Sequence, residues 1–296
     1  MIPLTVVFGT TAPWPESKPC LDRLCPGARA VGAEIIVAQS SPVGTPATLG
    51  PEHDRVRVLT VPGASVFELR RAAIAAARGD IIAVTEDHCV PATDWCQRIL
   101  AAHAAQPDAL VIAGAVTNGS PHSCGERANF LLTLGPYLPP LQPERLDRAP
   151  AMANVTFKRA ALPARELAVG ELEFVLAGQW KDQRLVRYDD RLLVEHVQWH
   201  GWRDTLRAHF DNGRSTTGLV VAQLPPAIRR QRLRRCFKLP RLIVRGTQRM
   251  LHDRPEHRRW LHQSLPIMWL LAICHASGEF TGLLWRGAGR SPYRLH

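Results

Sequence analysis

The chain has 296 residues, 46% hydrophobic and 21% charged, enough for one large core or two smaller ones and too apolar for wholesale disorder. Its formal charge of +11 is unevenly placed: Ile228 to Arg259 holds twelve Lys or Arg against Asp253 and Glu256, while the rest is nearly neutral. That concentration reads as a surface for something anionic. Seven cysteines, an odd number without CxxC or zinc spacing, read as reduced thiols of a cytosolic protein. Met1-Ile2-Pro3-Leu4 offers no basic n-region, so no export signal is expected.

Leu4–Phe8 is a short apolar run closed by Gly9-Thr10-Thr11, the pattern of a buried strand ending in a loop. Helical spacing follows from Pro19 to Arg29, then a strand at Glu34–Ala38 ending at Gln39-Ser40, and another at Val56–Leu59. Ser65 and Glu68 have capping-box spacing ahead of an alanine-rich helix that runs to Gly79. Ile81–Thr85 is a fourth strand, leading into Glu86-Asp87-His88. A helix over Asp94–Ala105 and a strand at Leu110–Ala115 continue the alternation, and a second capping box, Ser123 to Glu126, opens a helix stopping at Gly135-Pro136. Beyond Pro150 the expected elements are a strand at Ala153–Lys158, a short helix at Glu171–Ala177, two strands at Leu185–Tyr188 and Leu192–His196, and a helix from Trp202 ending at Gly213. Buried strands alternating with helices predict an α/β sheet, mostly parallel, with its ligand site beyond the carboxyl ends of the strands.

The acidic turn after the fourth strand carries the chemistry. In extended backbone Glu86 and His88 point to the same side, so both reach one divalent cation while Asp87 points elsewhere, toward sugar hydroxyls. Carboxylate oxygens with an imidazole suit Mn²⁺ or Mg²⁺ better than a structural zinc. Taken alone, three such residues are more often a solvated, helix-capping turn.

The stretch Gly79-Asp80-Ile81-Ile82-Ala83-Val84-Thr85-Glu86-Asp87-His88, with Pro91 and Trp95 behind it, resembles the core signature of the family 2 glycosyltransferases. The likeness extends in order along the chain: Arg70 before Ala72-Ala73-Ile74-Ala75, Asn154 to Arg159, Tyr188-Asp189-Asp190-Arg191 leading to Val194-Glu195-His196, and Gly278-Glu279-Phe280-Thr281-Gly282 with Gly287 and Gly289. It implies a GT-A, Rossmann-like domain over residues 1–222, followed by a helical, basic and apolar membrane-associated extension over 223–296. It implies a metal-dependent, inverting transfer from a nucleoside-diphosphate sugar to a glycan or lipid-linked acceptor at a membrane. Glu86 and His88 match metal-binding positions and His196 a late histidine that completes such a site. Thr10, Gln39, Arg70, Asp87 and Asn154 fall where the donor is bound. Gln39 replaces the usual base-binding Asp; its amide both donates and accepts. At the expected catalytic Glu-Asp pair stands Gly170-Glu171-Leu172-Glu173, with Leu172 in the Asp place. Glu171 or Glu173 is then the base; two positions apart on a helix they face different ways, and Glu171 is the first choice. The substitution also leaves open a catalytically silent, nucleotide-sugar-binding scaffold.

In the C-terminal extension, nine basic residues from Arg229 to Arg249 alternate with Leu233, Phe237, Leu239, Leu242, Ile243 and Val244, a pattern suited to an anionic membrane surface. Ser264–Trp285 is apolar but broken by Pro266, His275 and Glu279, which predicts an in-plane segment rather than a span, peripheral to the cytoplasmic face. A nucleic-acid-binding module is disfavoured by the lack of any RRM, KH or zinc-finger signature, and a dehydrogenase by the lack of GxGxxG after the first strand.

Overall fold

A computed structural model describes residues 2–12, 14–41, 51–120, 123–146, 148–197, 201–218, 221 and 224–285. The expected boundary at 222/223 and the glycines Gly287 and Gly289 lie outside them. The chain divides into two compact units, residues 1–119 with 137–197, and residues 120–136 with 198–296.

The first unit is built on strands β1 (Leu4–Thr10), β2 (Glu34–Gln39), β3 (Val56–Thr60), β4 (Ile81–Val84), β5 (Cys89–Pro91), β6 (Val111–Asn118), β7 (Val155–Lys158) and β8 (Val186–His196). They form one eight-stranded sheet in the order β3-β2-β1-β4-β7-β6-β8-β5. β3, β2, β1 and β4 run parallel, as do β6 and β8; β7 is antiparallel to both β4 and β6, and β5 to β8. The sheet is therefore mixed. Within the parallel half β1 and β2 are buried on both faces, which is why they read as unbroken apolar runs.

Helix α1 (Trp14–Val31) is longer than expected and carries Pro19 and Pro26 within it. It packs on α3 (Trp95–Ala105), while α2 (Val66–Ala76) covers β1 and β2 and shares a core with α5 (Ala177–Asp182) through Leu69, Ile74, Ala177 and Trp180. The capping box of α2 forms as read, Ser65 accepting from the Glu68 N–H and Glu68 from the Ser65 N–H. The helix ends at Ala76, short of Gly79. Gly79 instead donates to Thr5 Oγ1, and a Cβ there would lie 2.7 Å from the Leu4 carbonyl carbon, so the turn into β4 requires glycine.

Two strands predicted near the end of the unit are one. β8 runs unbroken from Val186 to His196 and takes up the mismatch in a register shift against Gly114 and Ala115 of β6. β5, which no alternation announces, is a three-residue edge strand against β8.

The second unit is helical: α4 (Cys124–Thr133), α6 (Trp202–Gly218), α7 (Pro226–Cys236), α8 (Leu239–Met250) and α9 (Pro255–Trp285), the first four all packing on α9. α6 does not stop at Gly213. A Cβ on Gly213 would collide with the His275 carbonyl of α9, and one on Gly278 with the Phe210 carbonyl of α6. These glycines permit backbone contact between two helices; they are not helix ends. α9 is one continuous helix of 31 residues despite Pro266, with a stretch of mean hydropathy 1.4. By length and composition it is able to cross a bilayer. All seven cysteines are free.

Candidate functional site

The site lies where β1, β4 and β8 end, within the first unit. After β4 the chain turns: Cys89 N–H donates to the Glu86 carbonyl at 3.0 Å, and β5 begins. Glu86 and His88 thus converge through a turn, not through strand alternation. β5 pairs with β8 so that Cys89 stands opposite His196, and the Val197 N–H donates to the His88 carbonyl. This pairing brings His196 to the turn, across more than a hundred residues of sequence.

The two imidazoles meet at right angles, ring centres 4.4 Å apart, with Nε2 to Nε2 2.8 Å. Glu86 Oε2 lies 3.4 Å from His88 Nε2 and 3.5 Å from His196 Nε2. Its other oxygen accepts from Arg70 at 2.7 Å. Asp87 turns away: one oxygen accepts from Thr10 Oγ1 at 2.6 Å, the other bonds His88 Nδ1 at 2.8 Å.

The titration states follow from these contacts. Burial opposes the Glu86 charge, but hydrogen bonds from His196 and His88, with Arg70 beside them, hold its carboxyl well below the usual range. Burial likewise opposes the Asp87 charge, which His88 and Thr10 favour and keep low. His88 is disfavoured as a cation by burial yet raised above an ordinary histidine by Asp87 and Glu86. His196 is pushed down by burial and by the charge on His88.

Arg70, on α2 and almost fully buried, joins this cluster to a second carboxylate: its guanidinium also donates to Glu173 Oε1 at 3.3 Å. Glu173 sits in a π-helical turn, Leu172–Leu176, ahead of α5. Such a turn re-aims side chains by an extra residue, and it is what faces Glu173 toward Arg70. Burial raises the Glu173 carboxyl, with Arg70 opposing.

Three of the sequence expectations need correction or qualification. Glu171 does not join the site: Arg165 forks onto both its oxygens at 2.5 and 2.9 Å, and the Ala168 N–H donates to it at 2.8 Å. Asn154 is not placed to bind a donor, being fully buried, accepting from Trp95 Nε1 and donating to the Ala115 and Leu192 carbonyls. Gln39, at the end of β2, is buried with its amide donating to Thr60 of β3 at 3.0 Å. Thr10, Arg70, Glu86, Asp87, His88 and His196 are brought together. Cys89 was expected only as one of seven reduced thiols, yet its Sγ and the donor atoms of Glu86 and His196 all lie within 4.8 Å of one another. Its place beside the acidic turn was the available signal.

Residues 33–148 match the family described as "Glycosyl transferase family 2". No curated protein matches the chain. Among solved structures, TarS of S. aureus (residues 1–349) is similar at 11% identity and a TM-score of 0.50, over 95% of this chain and 90% of that one, which shows the fold. A mycobacterial protein is similar at 14% identity and a TM-score of 0.47, over 76% of each chain. Glucosyl-3-phosphoglycerate synthase of Mycobacterium tuberculosis, in complex with phosphoglyceric acid, is similar at 16% identity and a TM-score of 0.46, over 70% of this chain and 75% of that one.

Proposed function

The chain carries a family 2 glycosyltransferase domain and is a glycosyltransferase; from that premise we propose that it catalyses a dication-dependent, inverting transfer of a sugar from a nucleoside diphosphate to a membrane-proximal glycan or lipid-linked acceptor. The observation that carries the reading is the convergence of Glu86, His88 and His196 at the strand ends, with Arg70 linking them to a buried Glu173.

Glu86, His88 and His196 hold the ion. Three donors on an ion at about 2.1 Å stand about 3.0 Å apart in an octahedron and about 3.4 Å apart in a tetrahedron, close to the 2.8, 3.4 and 3.5 Å between these donor atoms. When bound, the dication neutralises charge building on the departing diphosphate. Thr10 fixes Asp87, and Asp87 fixes the His88 ring. Glu173 is the base: its carboxylate takes the acceptor hydroxyl proton as that oxygen attacks the anomeric carbon, while the sugar–phosphate bond pair leaves with the nucleoside diphosphate. A carboxyl raised by burial is the better proton acceptor of the two candidates, since Glu171 is lowered by Arg165. Leu172 in the family's Asp position is thus no obstacle, because the π turn delivers the next residue.

The second unit is proposed to hold the enzyme at the cytoplasmic face of an anionic membrane. α8 is strongly amphipathic, with Arg241, Arg245 and Arg249 exposed, and Phe237 is 80% exposed. α9 exposes Trp269, Leu270 and Ile273.

The test is nucleoside diphosphate release from a panel of UDP-, GDP- and CDP-sugars with a membrane extract as acceptor source. Release from one donor, lost in Glu86→Ala and Glu173→Gln, is expected. Equal release by both variants, or none from any donor, would leave a catalytically silent scaffold as the better description.

A further inference from the structure

We infer that Phe67 is a positioning residue for the transfer: its ring, packed edge-on against Phe174, holds the π turn in the register that presents Glu173 to Arg70. The inference rests on the proposed role of Glu173 as the base.

The turn carries one residue more than an α-helix would. The Ala177 N–H donates to the carbonyl of Leu172, five residues back, where an α-helix would use Glu173. Leu172 and Leu176 are buried in a core shared with Leu69 and Ile74 of α2. Glu173 and Phe174, between them, are less deeply buried, and both reach α2. Single π turns are rare insertions into helices, so the register of this one needs an anchor.

One face of α2 supplies it at two points. Phe67 and Arg70 are three residues apart on the helix and so share a face. The Phe67 and Phe174 rings meet with centres 5.1 Å apart and planes at 63°, the edge-to-face arrangement that aromatic pairs favour. The Arg70 guanidinium meets Glu173, the residue before, at 3.3 Å. That second contact is long for a hydrogen bond, and the same guanidinium is drawn to Glu86 at 2.7 Å. The guanidinium alone therefore does not fix where Glu173 stands. Phe67 has firmer ground, since the Ser65–Glu68 capping box closes the first turn in which it lies. Neighbouring side chains on a helix diverge by about 100°, so a slip of one residue would carry Phe174 off Phe67 and Glu173 off Arg70 together. A base must stand within hydrogen-bond reach of the hydroxyl it deprotonates, which makes this register a condition of turnover.

The experiment measures donor affinity by calorimetry and turnover by nucleoside diphosphate release on the full chain, with UDP-, GDP- and CDP-sugars and a membrane extract as acceptor source. Phe67→Leu keeps apolar bulk and removes the ring; it should lower turnover roughly 10–100-fold, the cost of a misplacement of about 1 Å, with donor affinity unchanged. Phe67→Tyr keeps the ring and should restore most of the loss. In a Glu173→Gln background Phe67→Leu should add no further loss, because its effect passes through Glu173. Circular dichroism shows whether each variant has folded; should Phe67→Leu fail to fold, Phe174→Leu removes the same contact from the half-buried side. Native turnover in the leucine variants, an equal loss in the tyrosine variant, or a loss carried in full onto the Glu173→Gln background would overturn the inference and leave Phe67 a core residue only. Glu173→Gln separates the two failures: if it alone keeps native turnover, the base assignment falls and the inference with it, whereas if it is impaired and Phe67→Leu is not, only the inference falls.

Discussion

Glu86 and Glu173 are held on one guanidinium, that of Arg70, at 2.7 and 3.3 Å. The proposed metal ligand and the proposed base are thus fixed relative to each other by a single buried cation. Removing it leaves two carboxylates facing each other in a site with little water. Arg70→Ala is expected to cost about 3–5 kcal/mol of folding stability, the usual penalty for stripping one partner from a buried charge cluster. Urea unfolding of the variant measures it.

The two glutamates of the segment after β7 should separate cleanly. Glu173→Gln keeps size and hydrogen bonding but loses the proton acceptor, so turnover should fall by roughly 10²–10⁴ with donor affinity nearly unchanged. Glu171→Gln breaks only the link to Arg165, whose side chain is 63% exposed, and should change turnover little and stability by about 1 kcal/mol or less. Parallel steady-state and binding measurements on both variants decide which carboxylate does the chemistry.

Acid should unfold the chain through buried neutral histidines. His103, bonded to Thr156 Oγ1, and His209, bonded to Asn129, are each pushed down by burial to about 4, against 6.5 when free. Both lie below their unfolded values, so the unfolded chain takes up more protons between these limits. The stability they contribute is whole above about pH 6.5 and is lost as pH falls toward 4, by about 3 kcal/mol for each fully protonated site. His103→Gln is expected to flatten that part of the pH–stability curve measured by urea titration.

The contact between α6 and α9 depends on missing side chains. Alanine favours a helix over glycine by about 1 kcal/mol, yet Gly213→Ala and Gly278→Ala would drive a methyl into a facing carbonyl. Overpacking of this kind costs about 1–3 kcal/mol, so both variants should melt lower despite the gain in propensity. Thermal unfolding gives the sign directly.

Much of the first unit was legible because β1 and β2 are buried on both faces and a capping box marks the start of α2 at Ser65. What escaped was what depends on distant pairing. β5 is three residues long, and only its ladder with β8 shows why His196 reaches His88. The π turn at Leu172–Leu176 leaves no period in the sequence, so the contact of Glu173 with Arg70 could not be read from it. Asn154 belongs to a recognisable motif, but its reason is local: it joins Trp95 to the strands through three hydrogen bonds. Gly213 looked like a helix end because a glycine that ends a helix and one that admits a neighbour read alike.

The most direct test is calorimetric titration of UDP-, GDP- and CDP-sugars into the native chain and into Glu86→Ala, each with and without saturating Mn²⁺. Tight binding of one donor that requires Mn²⁺ and disappears in Glu86→Ala is the expected result. Donor binding indifferent to both the ion and the substitution, or no donor binding at all, would contradict a dication-dependent glycosyltransferase site at Glu86.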